Sequence, residues 1–416
     1  MKSLAAFFKE RPALTAVCII NITLCLIHLF FFSDPLFVDQ HEYTEIARNI
    51  AAGNGYIGSG FFHFYKSNTA FLQPVYSYLL ALFILLFGLP KAFLAIRLFQ
   101  IFINLLVCLM TYFVAREIFD EKTGWWSALL FSLYLPFIYL TTYVWDSLVF
   151  TLLLSLLVYL VVKFTDRGWG QSILMGLLLG LTALVNSVVV AVVPALFVYL
   201  YMRFRGKSSG ITMRLLLVLL LAVLCVSPWS FRNAMVFKAF VPLRTGFWLN
   251  LYLGNNQDAT GTVFLKHQGR VPEDYNEGIT LHFWPKMKFD LAKVDEYQQD
   301  QYLAGKFFAF VRTQPMTFLS LMVKKIYYFV WFNPFEKTKL SWALEYAAIL
   351  LLALFGSYQA LKKQKRIMLF ALLFLSFIFV YAVVGPFFNW KYRAPVEPYL
   401  IILAGYGIRS WLDPKG

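Results

Sequence analysis

DQHEYTEIARNIAAGNGY, residues 39–56, is the first polar stretch after an apolar run from Ala13 to Phe32, and it opens with two carboxylates. Asp39 followed three residues later by Glu42 has the form of a helix N-terminal capping box, and Tyr43, Ile46, Ala47 and Ile50 recur at helical spacing. Gly53 and Gly55 close the pattern. On local pattern alone, Asp39 reads as the cap of a helix at a membrane boundary as readily as it reads as a chemical group. The surrounding chain has to decide between the two.

That chain is apolar. Of its 416 residues 60% are hydrophobic and 19% aromatic, and the mean hydropathy is +0.65, which places it among polytopic integral membrane proteins. The formal net charge of +15 invites a nucleic-acid reading, but Lys and Arg sit in short loops beside apolar segments, where they set orientation and meet anionic membrane lipid. Nucleic acid is therefore not expected as a partner. Cys18, Cys25, Cys108 and Cys225 all fall in apolar segments without metal or redox spacing, and read as small core residues. Lys2, Lys9 and Arg11 before the first apolar run imitate a signal peptide, but roughly twenty apolar positions without a small-residue cleavage site predict a retained anchor.

Charge then orders the segments. Simple alternation of about twelve apolar segments puts the basic loops Lys163–Arg167 and Arg203–Arg214 outside, against the positive-inside rule. The conflict disappears if two segments do not cross. Residues 74–87 are short and closed by Gly88 and Pro90; residues 315–332 carry Lys324 and Lys325 mid-segment, which suits an amphipathic interfacial helix. Ten spans remain, at 13–32, 92–115, 124–141, 147–163, 169–186, 187–203, 212–231, 342–360, 366–385 and 395–411, with both termini cytoplasmic. The expected organisation is a transmembrane module over 1–231 that includes an extracytoplasmic loop 33–91, an extracytoplasmic region 232–341 with amphipathic helices, and C-terminal spans in 342–416. No internal repeat or low-complexity tract interrupts it.

Four fragments in order carry a resemblance. They are Asp39-x-x-x-Tyr43-x-Glu45-Ile46-Ala47-Arg48 with Gly53-x-Gly55 and Pro74, then SPWSFRN at 227–233, GNN at 254–256 and KYRAPVEPYL at 391–400. Together they resemble the bacterial branch of the family 39 glycosyltransferases, relatives of the protein mannosyltransferases and aminoarabinose transferases. The resemblance implies an all-α polytopic membrane protein, a GT-C-type transmembrane helix bundle with extracytoplasmic interfacial helices. It also implies sugar transfer from a polyprenyl-phosphate carrier to an acceptor hydroxyl at the extracytoplasmic face of a bacterial inner membrane.

Such a transfer needs a base for the acceptor proton and cations for the departing phosphate, whose second pKa near about 6 lets it leave as an anion without a general acid. The resemblance makes Asp39 the general base. The commonest motif has a second acidic residue directly after the Asp; here Gln40 stands there and Glu42 is displaced. Asp146 is a second carboxylate at a helix end, open to an N-cap reading. Arg97, Arg232, Lys391 and Arg393 are the candidates for the donor phosphate, although snorkelling to lipid headgroups explains any one of them equally well. Tyr43, His63, Lys66 and Asn186 are possible substrate contacts. Relatives usually place a Lys where this chain has Gln73, and a basic residue near Asn186.

No cofactor is expected to be required. His28, His41, His63, His267 and His282 include no HExxH and no close pair, and the alternative of a divalent cation would rest on Asp39, Glu42 and Asp146. Nor is there a P-loop, an Asp-x-Asp or a strand-borne GxGxxG for a nucleotide. The expected partners are a polyprenyl-phosphate sugar donor and a lipid, glycan or protein acceptor. One alternative is an O-antigen ligase or polymerase type of GT-C enzyme, which would rely on His267 or His282. Another is a lipid or sugar flippase, which would place carboxylates in mid-span; here they cluster at helix ends and loops.

Overall fold

The computed structural model describes residues 10–39, 41–59, 67–165, 168–206, 210–266, 294–332, 340–365, 367–385 and 390–413. Its helices follow the apolar periodicity. They are α1 (Pro12–Phe31), α2 (Glu42–Ala51), α3 (Pro74–Phe87), α4 (Lys91–Ile118), α5 (Glu121–Leu133), α6 (Leu135–Leu140), α7 (Ser147–Val162), α8 (Gly170–Val185), α9 (Val189–Phe204), α10 (Ile211–Phe237), α11 (Phe247–Gly254), α12 (Glu296–Thr313), α13 (Pro315–Val330), α14 (Leu340–Lys362), α15 (Met368–Val383) and α16 (Glu397–Leu412). Two-residue strands β1 (Ile57–Gly58) and β2 (Ser67–Asn68) pair antiparallel, Ile57 opposite Asn68. The protein is a predominantly helical integral membrane protein. Four helices, α1, α4, α10 and α14, are long and apolar enough to cross a membrane, and α7, α8, α9 and α15 are shorter apolar helices beside them.

Each of the ten expected spans coincides with a helix, with two differences. The segment 124–141 is split into α5 and α6 at Tyr134, because Pro136 cannot continue the α5 ladder. The Glu345 carboxylate accepts from the Leu135 N–H freed by the break (3.1 Å). The chain after α6 is irregular from Thr141 to Asp146 and lies across the end of the bundle. Second, α10 runs on to Phe237, past the expected end at 231, so the whole of SPWSFRN lies in its last turns.

Close helix packing depends on glycine. A Cβ at Gly356 of α14 would collide with the Leu403 carbonyl oxygen of α16, and one at Gly407 would lie 2.6 Å from the Leu352 oxygen. Gly176 and Gly180, one turn apart on α8, admit Leu221 and Cys225 of α10 in the same way. Small residues four apart let backbones approach where lipid leaves little hydrophobic drive for association.

A second apolar core sits over the bundle. Tyr43 and Ile46 of α2, Tyr76 and Leu80 of α3, Trp229 of α10, Leu249 and Leu253 of α11, Leu303 and Phe307 of α12 and Leu321 of α13 pack together. The first loop and the region after α10, separate in sequence, thus form one cap. Within it α13 differs from the amphipathic expectation. Lys324 is exposed, but Lys325 is buried with Leu321 and Phe329, and its ammonium donates to Asn255 Oδ1 (2.8 Å) of the GNN turn.

Burial without a carboxylate partner lowers the Lys325 pKa to about 7 from the ordinary 10.5. Between those two values the unfolded chain holds a proton that the folded one has lost, so stability rises with pH across that window. The melting temperature of the detergent-solubilised protein is expected to climb between pH 7 and pH 9.5. A Lys325→Met variant should lack that climb; a parallel climb in the variant would assign it to another group.

Candidate functional site

The site is built where the loop after α1 meets the irregular end of α6. Asp34 closes a turn by accepting from the Leu36 N–H (2.9 Å), which directs Pro35 to Asp39 back over the bundle. Arg97, buried on α4, reaches into that turn. Its Nη1 donates to the carbonyls of Pro35 and Phe37 (both 2.9 Å), its Nε to that of Thr142 (3.0 Å), and its Nη2 to Asp39 Oδ2 (3.2 Å). One guanidinium therefore joins two irregular segments and fixes the Asp39 carboxylate.

Asp39 is not a helix cap. The structure starts α2 at Glu42 with His41 as N-cap, two positions later than the capping-box reading requires, and no side chain caps the helix. The Asp39 carboxylate also accepts from the Val144 N–H, and its Oδ1 faces His41 Nε2 at 3.9 Å. Burial raises its pKa, opposed by the charges of Arg97 and His41. Glu42 has no hydrogen-bond partner among the described residues, while Glu45 accepts from the Ser59 N–H (3.0 Å) and holds the loop after β1.

Asp146 forms the second centre. It stands at the N-cap position of α7, yet its side chain makes no cap bond. Instead Oδ2 accepts from the Asn186 amide (2.8 Å), and the carboxylate also accepts from the buried Tyr43 hydroxyl. Asn186, at the end of α8, accepts from the Val188 N–H (3.0 Å) with its other amide atom, so it bridges two helices to this carboxylate. Burial lifts Asp146 to about 6 against the lowering effects of Asn186, Lys391, Tyr43 and Arg244.

The cations divide into two kinds. Arg393 is 2% exposed, pairs with Glu397 (2.7 Å), donates to the carbonyls of Phe329 and Trp331, and lies 3.6 Å over the Tyr346 ring. Arg232 donates to the carbonyls of Thr69 (2.6 Å) and Tyr56 (3.1 Å) and lies over the Trp229 and Tyr56 rings. Arg97, Arg232 and Arg393, three of the residues expected to contact the donor phosphate, are engaged within the protein. Their donors are directed at carbonyls and carboxylates of the protein, which makes them ties between segments. Lys391 alone among the four expected cations belongs to the second centre. Its ammonium acts on Asp146 and His41, donates to the Tyr143 hydroxyl (3.2 Å) and lies 4.1 Å over the Trp145 ring.

A further cation, missed in the sequence, acts on Asp146. Arg244 is half-buried between α10 and α11, with its Nε on the adjacent Thr245 carbonyl (3.0 Å) and its guanidinium over Phe71. Two elements fix the backbone around it. Trp229, Ser230 and Asn233 at the end of α10 donate to the carbonyls of Leu243, Pro242 and Val241. Glu296 at the start of α12 accepts from the hydroxyls of Thr69 and Thr245 and from the Ala70 N–H. One turn on, Asp300 accepts from the Leu249 N–H (2.9 Å) and so caps α11. The available signal was a lone Arg before Thr-Gly, between the SPWSFRN and GNN fragments.

His63, Lys66, His267 and His282 lie outside the described residues, as does Gln40. His28 bonds Thr142 and belongs to the packing of α1. Asp39, Glu42 and Asp146 do not converge as a cation-binding trio; among the described residues no three His, Cys, Asp or Glu side chains gather closely enough to hold a metal ion.

Known proteins share this architecture. The oligosaccharyltransferase of Archaeoglobus fulgidus in its apo form superposes with a TM-score of 0.59 at 14% identity, over 99% of this chain and 52% of that one. The structure of the same organism's oligosaccharyltransferase AglB with an inhibitory peptide and a dolichol-phosphate gives 0.58 at 14% identity, over 98% and 51%. The chain has the GT-C fold. It spans about half the length of those archaeal chains. ArnT from Cupriavidus metallidurans, solved with undecaprenyl phosphate, aligns over 94% of this chain and 77% of that one at 14% identity, with a TM-score of 0.45. Residues 72–231 match the family described as dolichyl-phosphate-mannose-protein mannosyltransferase, so the resemblance read from the sequence stands. No curated protein sequence matches. Within this GT-C chain the family match contains Arg97, Asp146 and Asn186, while Asp39 and Arg244 flank it.

A carboxyl raised to about 6 binds more protons folded than unfolded, so its ionisation costs stability as pH rises from about 4 through about 6. The cost is at most about 3 kcal/mol. Asp146→Asn is therefore expected to melt at a higher temperature than the wild type at pH 7.5 and at nearly the same temperature near pH 3.5. A variant that melts lower at both pH values would show that the charge stabilises the fold.

Proposed function

We propose that this GT-C protein is an inverting membrane glycosyltransferase that moves a sugar from a polyprenyl-phosphate donor to an acceptor hydroxyl. The observation that carries the reading is the pair of electrostatic centres: a base-competent carboxylate, Asp39, oriented by Arg97, beside a buried carboxylate, Asp146, acted on by Lys391 and Arg244. The family match over 72–231 and the fold shared with an archaeal oligosaccharyltransferase that has been solved with dolichol-phosphate support the donor class. The distribution of basic loops supports a site on the extracytoplasmic face of a bacterial-type inner membrane.

In this reading Asp39 Oδ1 removes the acceptor proton while Oδ2 stays on Arg97, which holds the carboxylate in one orientation. The acceptor oxygen attacks the anomeric carbon from the face opposite the phosphate, and the electron pair of the breaking C–O bond remains on the phosphate. Lys391 and Arg244 offset its charge, the second through bidentate contacts that a guanidinium can make with phosphate oxygens. Asp146 keeps these two cations close together before the phosphate arrives, which is a reason to retain a carboxylate that costs stability. Tyr43 and Asn186, both bonded to Asp146, carry its position to α2, α8 and α9.

Asp39→Asn keeps a partner for Arg97 but removes the base. Turnover of a synthetic polyprenyl-phosphate hexose, followed as release of polyprenyl phosphate, should fall by about 10²-fold or more with the melting temperature retained. Retained turnover would end the base assignment. Arg244→Ala should lower kcat/KM by roughly 10- to 100-fold, the value of a charged hydrogen bond to phosphate. Arg232→Ala should instead lower the melting temperature.

A further inference from the structure

His41 stands beside the one oxygen of Asp39 that Arg97 does not hold. It is the N-cap of α2 in extended backbone (φ −105°, ψ 166°), and its ring is walled by Tyr143, with centroids 5.6 Å apart, and edge-on by Trp145 at 5.4 Å. Its Nε2 is buried, makes no hydrogen bond among the described residues, and lies 3.9 Å from Asp39 Oδ1. Buried ring nitrogens are ordinarily bonded. Here the facing charge is a carboxylate oxygen just beyond hydrogen-bond range, a gap that closes by about 1 Å once either atom carries a proton. The His41 side chain is also the more open of the two, 29% exposed against 12% for Asp39.

The transfer reading, on which this inference rests, leaves Asp39 protonated after every turnover. Oδ2 is occupied by Arg97, and the carboxyl is nearly enclosed, so the proton needs a route out. We propose that His41 is the proton relay of Asp39, receiving at Nε2 the proton that Asp39 Oδ1 takes from the acceptor. In the first step the acceptor O–H bond breaks to Oδ1, the acceptor oxygen bonds the anomeric carbon, and the phosphate departs with the electron pair of the broken C–O bond. In the second step the proton crosses from Oδ1 to Nε2 of the neutral imidazole, and the imidazolium releases it to water.

The groups facing His41 suit both states. Burial and Lys391, from the turn before α16, disfavour the charged ring, whereas Asp39 in the preceding loop and Glu42 on α2 favour it. Burial dominates, so the resting imidazole is held below its ordinary pKa and is free to accept. Tyr143 and Trp145, on the segment between α6 and α7, supply the walls. A histidine that only filled this slot would be replaceable without effect on proton traffic.

The test uses full-length protein in detergent and a synthetic polyprenyl-phosphate hexose as the donor probe. His41→Ala is expected to lower kcat for polyprenyl phosphate release by about 10²-fold, with KM little changed and the acidic limb of the kcat pH profile altered, the His41-dependent part lost and the part set by Asp39 kept. Added imidazole should restore turnover, because the alanine leaves the slot between Tyr143 and Trp145 open; His41→Gln, which fills it, should not respond. An unchanged pH profile, or loss of kcat that imidazole does not restore, overturns the relay. A second measurement needs no substrate: diethyl pyrocarbonate modification of His41, quantified by mass spectrometry across pH. Asp39→Asn removes the charge that favours the imidazolium and should move the modification midpoint down by about one pH unit. A midpoint that stays put overturns the Asp39–His41 pairing whatever the activity shows. A shifted midpoint in a wild-type protein that turns over none of the probes overturns the transfer reading and upholds the pairing.

Discussion

The guanidinium of Arg97 is the constraint on which the rest of the site depends. Four hydrogen bonds from one buried side chain hold the loop before α2 and the irregular segment after α6 in a single arrangement. Neither segment has a ladder of its own, so without Arg97 the carbonyls of Pro35, Phe37 and Thr142 would face a largely apolar boundary unsatisfied. The same side chain sets the orientation of Asp39. A carboxylate whose Oδ2 is held by a guanidinium is a different chemical object from a solvated Asp, because its direction is defined before a ligand arrives.

Around that tie the charges are arranged in layers. Arg232 and Arg393 do for the cap and for the turn before α16 what Arg97 does for the first loop, Arg232 binding the carbonyl oxygens of Tyr56 and Thr69 that flank the β1–β2 pair and Arg393 those at the end of α13. Glu296 and Asp300, one turn apart on α12, hold the segment from Thr245 to Leu249 from the opposite side. The groups left with partners inside the site are Asp39 with His41, and Asp146 with Lys391 and Arg244. Their mutual electrostatics, rather than their number, distinguish them from the structural charges.

Much of this was legible in the sequence because it depends on periodicity. The spacing of Tyr43, Ile46 and Ala47 gives α2 and its buried face, and hydropathy corrected by the positions of Lys and Arg places ten segments that are helical in the structure. The failures share a cause. The capping box at Asp39 and Glu42 has the right spacing, but the helix starts at Glu42 because Arg97, fifty-eight residues away, draws the Asp39 carboxylate elsewhere. The same distance effect hid the roles of Arg232 and Arg393, whose acceptors are main-chain oxygens that every sequence contains. Lys325 read as a surface residue since nothing local to α13 tells that Asn255 comes to meet it.

Arg244 shows the converse case. Its own sequence context is unremarkable, an Arg before Thr-Gly in a connecting segment, and its importance comes from what surrounds it. Gly246 adopts φ +76°, and a Cβ there would lie 2.8 Å from the Phe71 ring over which Arg244 lies, so the chain can turn next to the first loop only with glycine at that position. That turn brings a cation from the segment after α10 into the field of Asp146, and in the proposed transfer it stands in for the positive charge that Asn186 does not supply. A charge missing at one point of a motif can thus be provided by another part of the chain, because a phosphate responds to the field at its position and not to the order in which its ligands occur.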